Sequence, residues 1–146
     1  MDDEQKKKRK IESQRLMKAY GIDLEGYETL STIQKDVCAI CGRKAFGRKL
    51  AVDHDHTMVR VKVTFKRDAL GLWYAEIKDP RFSDAQFLGS TKGEARFQAT
   101  QWLKRRSIRG LLCMQCNRGL KWWNDKEDKI RAAADYLAAF RTKYSG

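Results

Sequence analysis

The residues of this chain that could bind a metal ion or move a proton near neutral pH are few and concentrated. Both histidines fall in Asp53-His54-Asp55-His56. All four cysteines fall in two Cys-x-x-Cys pairs, Cys38/Cys41 and Cys113/Cys116, the second followed at once by Asn117. Two such pairs supply four thiolates, the number a tetrahedral Zn²⁺ takes, and a site closed by four thiolates fixes a fold without doing chemistry. A redox role is disfavoured, because two pairs need explaining and neither sits in a thioredoxin-like strand pattern. A neutral imidazole is the natural general base for water at physiological pH. A carboxylate and an amide oxygen are hard ligands suited to Mg²⁺ or Mn²⁺. Asp53 with Asn117 offers one net negative charge, which holds a divalent ion and leaves it electrophilic toward a phosphodiester. The plainer readings are reduced core cysteines and a polar surface loop. Gathering every histidine and cysteine into three short segments argues against both.

The segment also poses a geometric problem. In a regular strand Asp53 and His54 point to opposite faces, while His54 and His56 share one. For Asp53 and His54 to act on one phosphate, the strand must end, bulge, or let one side chain wrap around an edge. Asp55 then reads as a structural carboxylate turned away.

The elements that must position these groups can be read along the chain. A charged helix occupies the first twenty residues, with Ile11, Leu16, Met17 and Tyr20 as a partial apolar stripe, and Gly21 stops it. Asp23 can cap a second helix to about Lys35, with Leu24, Tyr27, Leu30 and Ile33 at near-helical spacing. Leu50-Ala51-Val52 reads as a short strand entering the Asp-His-Asp-His segment. From Val59 to Arg67, Val59, Val61, Val63 and Phe65 alternate with Arg60, Lys62, Thr64 and Lys66, which predicts a strand. Leu72 to Lys78 and Ala85 to Gly89 read as two more. Thr91 and Glu94 have capping-box spacing and open a helix to about Arg106. Asn124 and Glu127 offer a second such box before a last helix striped by Ile130, Ala133, Ala134, Leu137 and Phe140.

Length and charge bound the partners. The chain has 146 residues and a formal net charge of +12, which points to a polyanion. No segment is apolar for long enough to span a bilayer, and nothing resembles a lipid anchor, so nucleic acid is favoured over a membrane. The N-terminus lacks the apolar core of a signal peptide, so a cytoplasmic location with reduced thiols is expected.

Taken together, Tyr20-Gly21-Ile22, Tyr27-Glu28, Cys38-Ala39-Ile40-Cys41-Gly42, Leu50-Ala51-Val52-Asp53-His54-Asp55-His56 and Arg109-Gly110-Leu111-Leu112-Cys113-x-x-Cys116-Asn117 resemble the phage recombination endonuclease VII family. That family belongs to the His-Me finger (HNH-type) nucleases. The resemblance covers roughly residues 15–56 and 108–140. It implies an α+β fold with a zinc-stapled ββα core, in which a strand carrying the Asp-His faces a helix carrying the Asn. Carried over residue by residue, Asp53 and Asn117 hold a catalytic Mg²⁺ or Mn²⁺, His54 activates the water and His56 assists at the phosphate or leaving group. Cys38, Cys41, Cys113 and Cys116 hold a structural Zn²⁺. The implied activity is metal-dependent DNA hydrolysis, by nicking or cutting duplex or branched DNA to leave a 5′-phosphate. For a phage-encoded protein the location is the bacterial host cytoplasm. Junction-resolving members are intertwined dimers, so a homodimer is one expectation and dependence on another phage protein is a second.

One departure from the family pattern is that the junction-resolving members carry further structure after the last helix; another lies between the two matching stretches. A short connection normally joins the Asp-His-Asp-His strand to Arg-Gly-Leu-Leu-Cys, whereas residues 57–107 intervene here. The domain reading is therefore a nuclease core of residues 1–56 plus 108–146, interrupted by a module of three strands and a helix. That module loosely resembles three-strand-plus-helix DNA-binding domains, such as integrase arm-binding domains. On that resemblance Arg60, Lys62 and Lys66 form a DNA-contacting face, with Lys104, Arg105 and Arg106 on the phosphate backbone and Arg109 also a DNA contact. A structural or dimerising insertion with a solvated basic face is the equal alternative. The alternative for the whole chain is a non-catalytic zinc module that only binds nucleic acid.

Overall fold

The computed structural model describes residues 2–45, 47–82 and 85–144. Among them the fold is α+β, with five α-helices and two small sheets. Helix α1 (Asp3–Tyr20) is capped by the Asp2 carboxylate and ends at Gly21, whose φ of 73° favours glycine. A Cβ at Gly21 would lie 2.7 Å from the Gln101 carbonyl oxygen, so a later helix also requires glycine there. Helix α2 (Leu24–Ile33) starts at Asp23, whose carboxylate accepts from Gly26 N–H at 2.8 Å. Its Tyr27 hydroxyl donates to the Leu50 carbonyl at 2.8 Å, tying α2 to the chain entering the first strand.

Strand β1 (Ala51–His54) pairs antiparallel with β5 (Ile108–Leu112), although residues 55–107 separate them in sequence. Helix α4 (Met114–Trp122) follows β5 directly. Around this β-β-α unit the buried residues Leu16, Leu24, Tyr27, Cys38, Leu50, Val52, Leu111 and Leu112 form one core. Gln34, just past α2, locks the end of β5 in place. Its side-chain oxygen accepts from Leu111 N–H at 2.8 Å, and its amide donates to the Leu111 and Val37 carbonyls at 3.0 Å each. A Cβ at Gly110 would meet that Gln34 oxygen at 2.9 Å, which is why no side chain fits there.

The intervening segment builds a second sheet, β2 (Val63–Arg67), β3 (Trp73–Ile77) and β4 (Gln86–Gly89), all antiparallel. Helix α3 (Lys92–Ser107) covers one face, and its Thr91/Glu94 capping box is formed in both directions. Ala75, Ala95 and Ala99 are fully buried where sheet and helix meet, with Val63, Phe65, Trp73 and Phe87 around them. This cluster shares no residue with the first.

Three expectations are corrected. Residues 59–61 are not strand: Met58–Arg60 is a turn of 3₁₀ helix lying against α3, so the β-alternation begins only at Val63. Arg60 therefore does not share a sheet face with Lys66. Asn124 does not cap the last helix, α5 (Glu127–Tyr144), but sits at φ 50° with its N–H bonded back to the Lys121 carbonyl, closing α4. Finally, the apolar stripe of α5 is not taken into the core. Ile130 and Ala133 are half-buried, Leu137 is 59 % exposed, and the Phe140 side chain lies outside the described residues.

Candidate active site and zinc centre

The first Cys-x-x-Cys pair sits in a tight knuckle. Cys38 N–H bonds to the Arg43 carbonyl, Gly42 N–H to the Cys38 carbonyl and Ala39 N–H to the Leu111 carbonyl, so the knuckle is stitched to β5. The second pair opens α4, with Cys113 as its N-cap residue. The result brings four sulfurs, 72 positions apart in sequence at the join, within 4.8 Å of one another. Cys41 Sγ and Cys113 Sγ are 3.8 Å apart, and four thiolates at a Zn–S distance of about 2.3 Å in a tetrahedron lie about 3.8 Å from each other. The donor set and spacing fit Zn²⁺. Burial alone would raise the Cys38 thiol, but the N–H groups of Cys41, Cys113 and Ile40 outweigh it and bring it down to about 6. Cys116 goes the other way, pushed up to about 12 by burial and by hydrogen bonding with Cys113, Cys41 and Cys38. A thiolate held by backbone N–H groups is preformed for a cation.

The pairing of β1 with β5 is irregular at Asp53-His54, where the sequence calls for a break. Asp53 pairs with Gly110, but His54 pairs with Ile108, so a bulge falls between them with Arg109 as the extra residue on β5. That extra residue lies on β5, and β1 itself ends at His54; residues 51–57, Asp53, His54 and His56 among them, line one cleft of about 1470 Å³ together with Tyr20, Asn117 and Arg109. Asn117 reaches the cleft from the first turn of α4, where its N–H bonds to the Cys113 carbonyl. The zinc knuckle and the site are thus built on the same turn of helix.

His54 is wedged between two rings. His56 lies 4.3 Å away centroid to centroid, and Tyr20 packs edge-on at 5.4 Å. Burial, followed by the nearby His56, lowers the His54 pKa below its ordinary value, against the raising influence of Asp53 and the Val52 carbonyl. Burial and the neighbouring imidazole thus both favour the neutral form of His54. Asp55 is turned into a local loop: its carboxylate accepts from Thr57 N–H and Oγ1, both at 2.7 Å, and ends the strand.

Asp53 is buried, at 7 % exposure, and forms a two-pronged pair with Arg109. Nε donates to one carboxylate oxygen at 2.7 Å and Nη2 to the other at 2.8 Å. The same Nη2 also lies 3.2 Å from Asp125. Arg109, expected as a DNA contact, is therefore engaged inside the cleft. Of the other expected contacts, Arg60 lines the cleft and Lys62 is exposed just before β2. Lys66 pairs with Glu76 at 2.9 Å on the open face of the second sheet. Lys104 donates to the Lys18 carbonyl at 2.6 Å, closing the end of α1, and Arg106 lies over the Trp102 ring at 4.8 Å. Arg105 is exposed.

Sequence reading missed a ring of cations around the site: Arg43, Lys44, Arg48, Lys49, Arg118 and Lys121 all line the cleft. The only signal was their nearness to the knuckle and to Asn117, in a chain with basic residues everywhere.

The family model for recombination endonuclease VII matches residues 13–139, most of the chain. The chain belongs to the recombination endonuclease VII family. The matched span of this endonuclease VII family member includes all four cysteines, Asp53, His54, His56 and Asn117, and it runs through the second sheet as well. No curated protein and no solved structure matches the chain. No helix among the described residues is long and apolar enough to cross a membrane.

Proposed function

We propose that this chain is a metal-dependent DNA endonuclease of the His-Me finger type, with one catalytic divalent ion and a separate structural zinc. The observation that carries the reading is that Asp53, His54 and Asn117 line one cleft beside the four cysteines, where β1 ends opposite a bulge in β5. Asp53 and Asn117 are the hard-oxygen pair that would hold Mg²⁺ or Mn²⁺, and Cys38, Cys41, Cys113 and Cys116 the set for Zn²⁺. The divalent ion supplies charge stabilisation at the phosphate when bound.

The chain's own residues do the rest. His54 accepts a proton from the attacking water, whose oxygen bonds to phosphorus as the bond to the 3′ oxygen breaks. The departing 3′ oxygen takes up a proton from His56 or from solvent water, leaving a 5′-phosphate and a 3′-hydroxyl. His56, beside His54, serves the phosphate or the leaving oxygen. Tyr20 restricts the His54 ring to one orientation, so less ordering is needed at the moment of reaction. The rim cations Arg48, Arg60 and Arg118 attract and align a phosphate backbone. The substrate is DNA. Residues 57–107 act as an insertion that extends the contact along it, through Lys62 and the open face of the second sheet.

The test is to mix zinc-loaded protein with linear duplex, supercoiled plasmid, four-way junction and single-stranded DNA in Mg²⁺ or Mn²⁺. Cleavage leaving 5′-phosphate ends supports the reading, and the preferred form defines the substrate. Intact DNA in every form and with both metals overturns it. A second reading, a zinc module that binds nucleic acid without cutting it, has one observation in its favour: both Asp53 oxygens already accept from Arg109. DNA binding without cleavage under all of these conditions is its signature.

A further inference from the structure

The Asp53 carboxylate is asked to satisfy two cations. Its oxygens accept from Arg109 at 2.7 and 2.8 Å, a fork-on-carboxylate pair at normal charge-assisted distances. The same oxygens are the ones the proposed divalent ion needs. Arg109 has a second acid within reach, since its Nη2 is 3.2 Å from an Asp125 oxygen. Asp53 and Asp125 offer two carboxylates, and Arg109 already engages both, so a divalent ion at Asp53 must compete with it.

The backbone shows how Asp125 comes to be there. Asn124 and Asp125 lie in succession at φ 50° and 56°, a left-handed turn that asparagine and aspartate adopt more readily than other residues with a side chain. The Asp125 N–H bonds back to the Leu120 carbonyl, so the turn after α4 carries this acid into the cleft. Arg109 is itself placed by a distortion, being the extra residue of the β5 bulge. Two independent irregularities therefore converge on one guanidinium.

We propose that Arg109 is an internal competitor of the catalytic divalent ion at Asp53, and that Asp125 is the positioning residue that draws Arg109 off. When the ion takes Asp53, Arg109 keeps Asp125 as its partner and stays in the cleft as a fixed positive charge. The pair thus sets how tightly the ion is held. The inference rests on the nuclease reading in one respect, that Asp53 is a ligand of the divalent ion.

Mn²⁺ binding to the zinc-loaded protein without DNA, followed by the loss of the free Mn²⁺ resonance signal, separates the possibilities. Arg109→Gln is expected to bind Mn²⁺ about tenfold more tightly than wild type, since a charged hydrogen-bonding rival has been removed. Asp125→Asn is expected to bind it about tenfold more weakly, because Arg109 is left with Asp53 alone. Opposite shifts from two residues in contact are not produced by general loosening of the fold, which weakens binding in both. In an Arg109→Gln background, adding Asp125→Asn is expected to change affinity by much less than it does in wild type, because Asp125 acts through Arg109. Arg109→Lys, which keeps the charge and loses the fork, is expected to lie between wild type and Arg109→Gln.

If Arg109→Gln loses its zinc, Asp125→Asn decides the matter, and unchanged Mn²⁺ affinity in that variant overturns the proposal. Unchanged or weaker binding by zinc-loaded Arg109→Gln, with Asp53→Asn still abolishing binding, overturns it while leaving Asp53 as the ligand. Mn²⁺ binding that survives Asp53→Asn unchanged, or no binding by wild type and Arg109→Gln alike, overturns both this proposal and the metal assignment beneath it.

Discussion

The His54 and His56 rings lie 4.3 Å apart, tilted by 56°. Two imidazoles at that distance cannot both carry a charge cheaply, and burial already disfavours a charged His54. His54 must be neutral to accept a proton, so activity should be lost as pH falls through its lowered pKa. The acid limb of kcat/KM is therefore expected below about pH 6.5, the ordinary histidine value. His56→Ala removes one cause of the lowering and opens the site to water, so its limb should move up. A wild-type limb above about pH 7, or a His56→Ala limb displaced downward, would contradict this.

The two metals should be separable by chelation. Oxygen ligands hold Mg²⁺ far less tightly than four thiolates hold Zn²⁺. Low EDTA is expected to stop cleavage while helical circular dichroism and zinc content stay unchanged. Cys113→Ser, which removes a knuckle ligand at the head of α4, should lose zinc and unfold β1, β5 and α4 together. Simultaneous loss of fold and activity at the lowest effective EDTA dose would count against two distinct sites.

Gln34 is expected to matter for stability out of proportion to its polarity. Gln34→Ala leaves the buried Leu111 N–H without its acceptor and cuts two further bonds. Urea unfolding should show a loss of about 1–3 kcal/mol. A change within about 0.5 kcal/mol would mean that this clamp is made good by water.

The cleft rim should contribute through phosphate charge rather than sequence. Arg60→Ala and Arg118→Ala are each expected to weaken DNA binding similarly across sequences. Each should also reduce the slope of log affinity against log salt by about 1. Unchanged slopes would place the DNA elsewhere on the molecule.

Much of this architecture was legible in the sequence because local chemistry dictated it. Gly21, Asp23 and Thr91/Glu94 mark helix ends through their own hydrogen bonds, and each does so in the structure. The four-sulfur centre was legible although its halves lie 72 positions apart, because two reduced Cys-x-x-Cys pairs together supply one tetrahedral ligand set. What stayed hidden depends on partners distant in sequence. Nothing local says that Arg109 will fork onto Asp53, 56 positions away. Gln34 reads as an ordinary polar residue until β5 returns beside it. Asn124 was misread because its offset from Glu127 fits a capping box, while the closing of α4 uses it in a left-handed turn. Val59 and Val61 continued a β-pattern that packing against α3 replaced with a 3₁₀ turn. The end of β1 at His54 and the bulge in its partner were recognisable only as a need, because an unbroken strand sends Asp53 and His54 to opposite faces.

The central claim is that His54 is the base of a nuclease site, and its most direct test is cleavage by His54→Ala beside wild type. Both proteins should be zinc-loaded, matched in DNA affinity, and assayed with Mg²⁺ on the DNA form that wild type cuts best. The kcat should fall about 10²-fold or more with the fold and DNA binding intact. Cleavage by His54→Ala at the wild-type rate would contradict it.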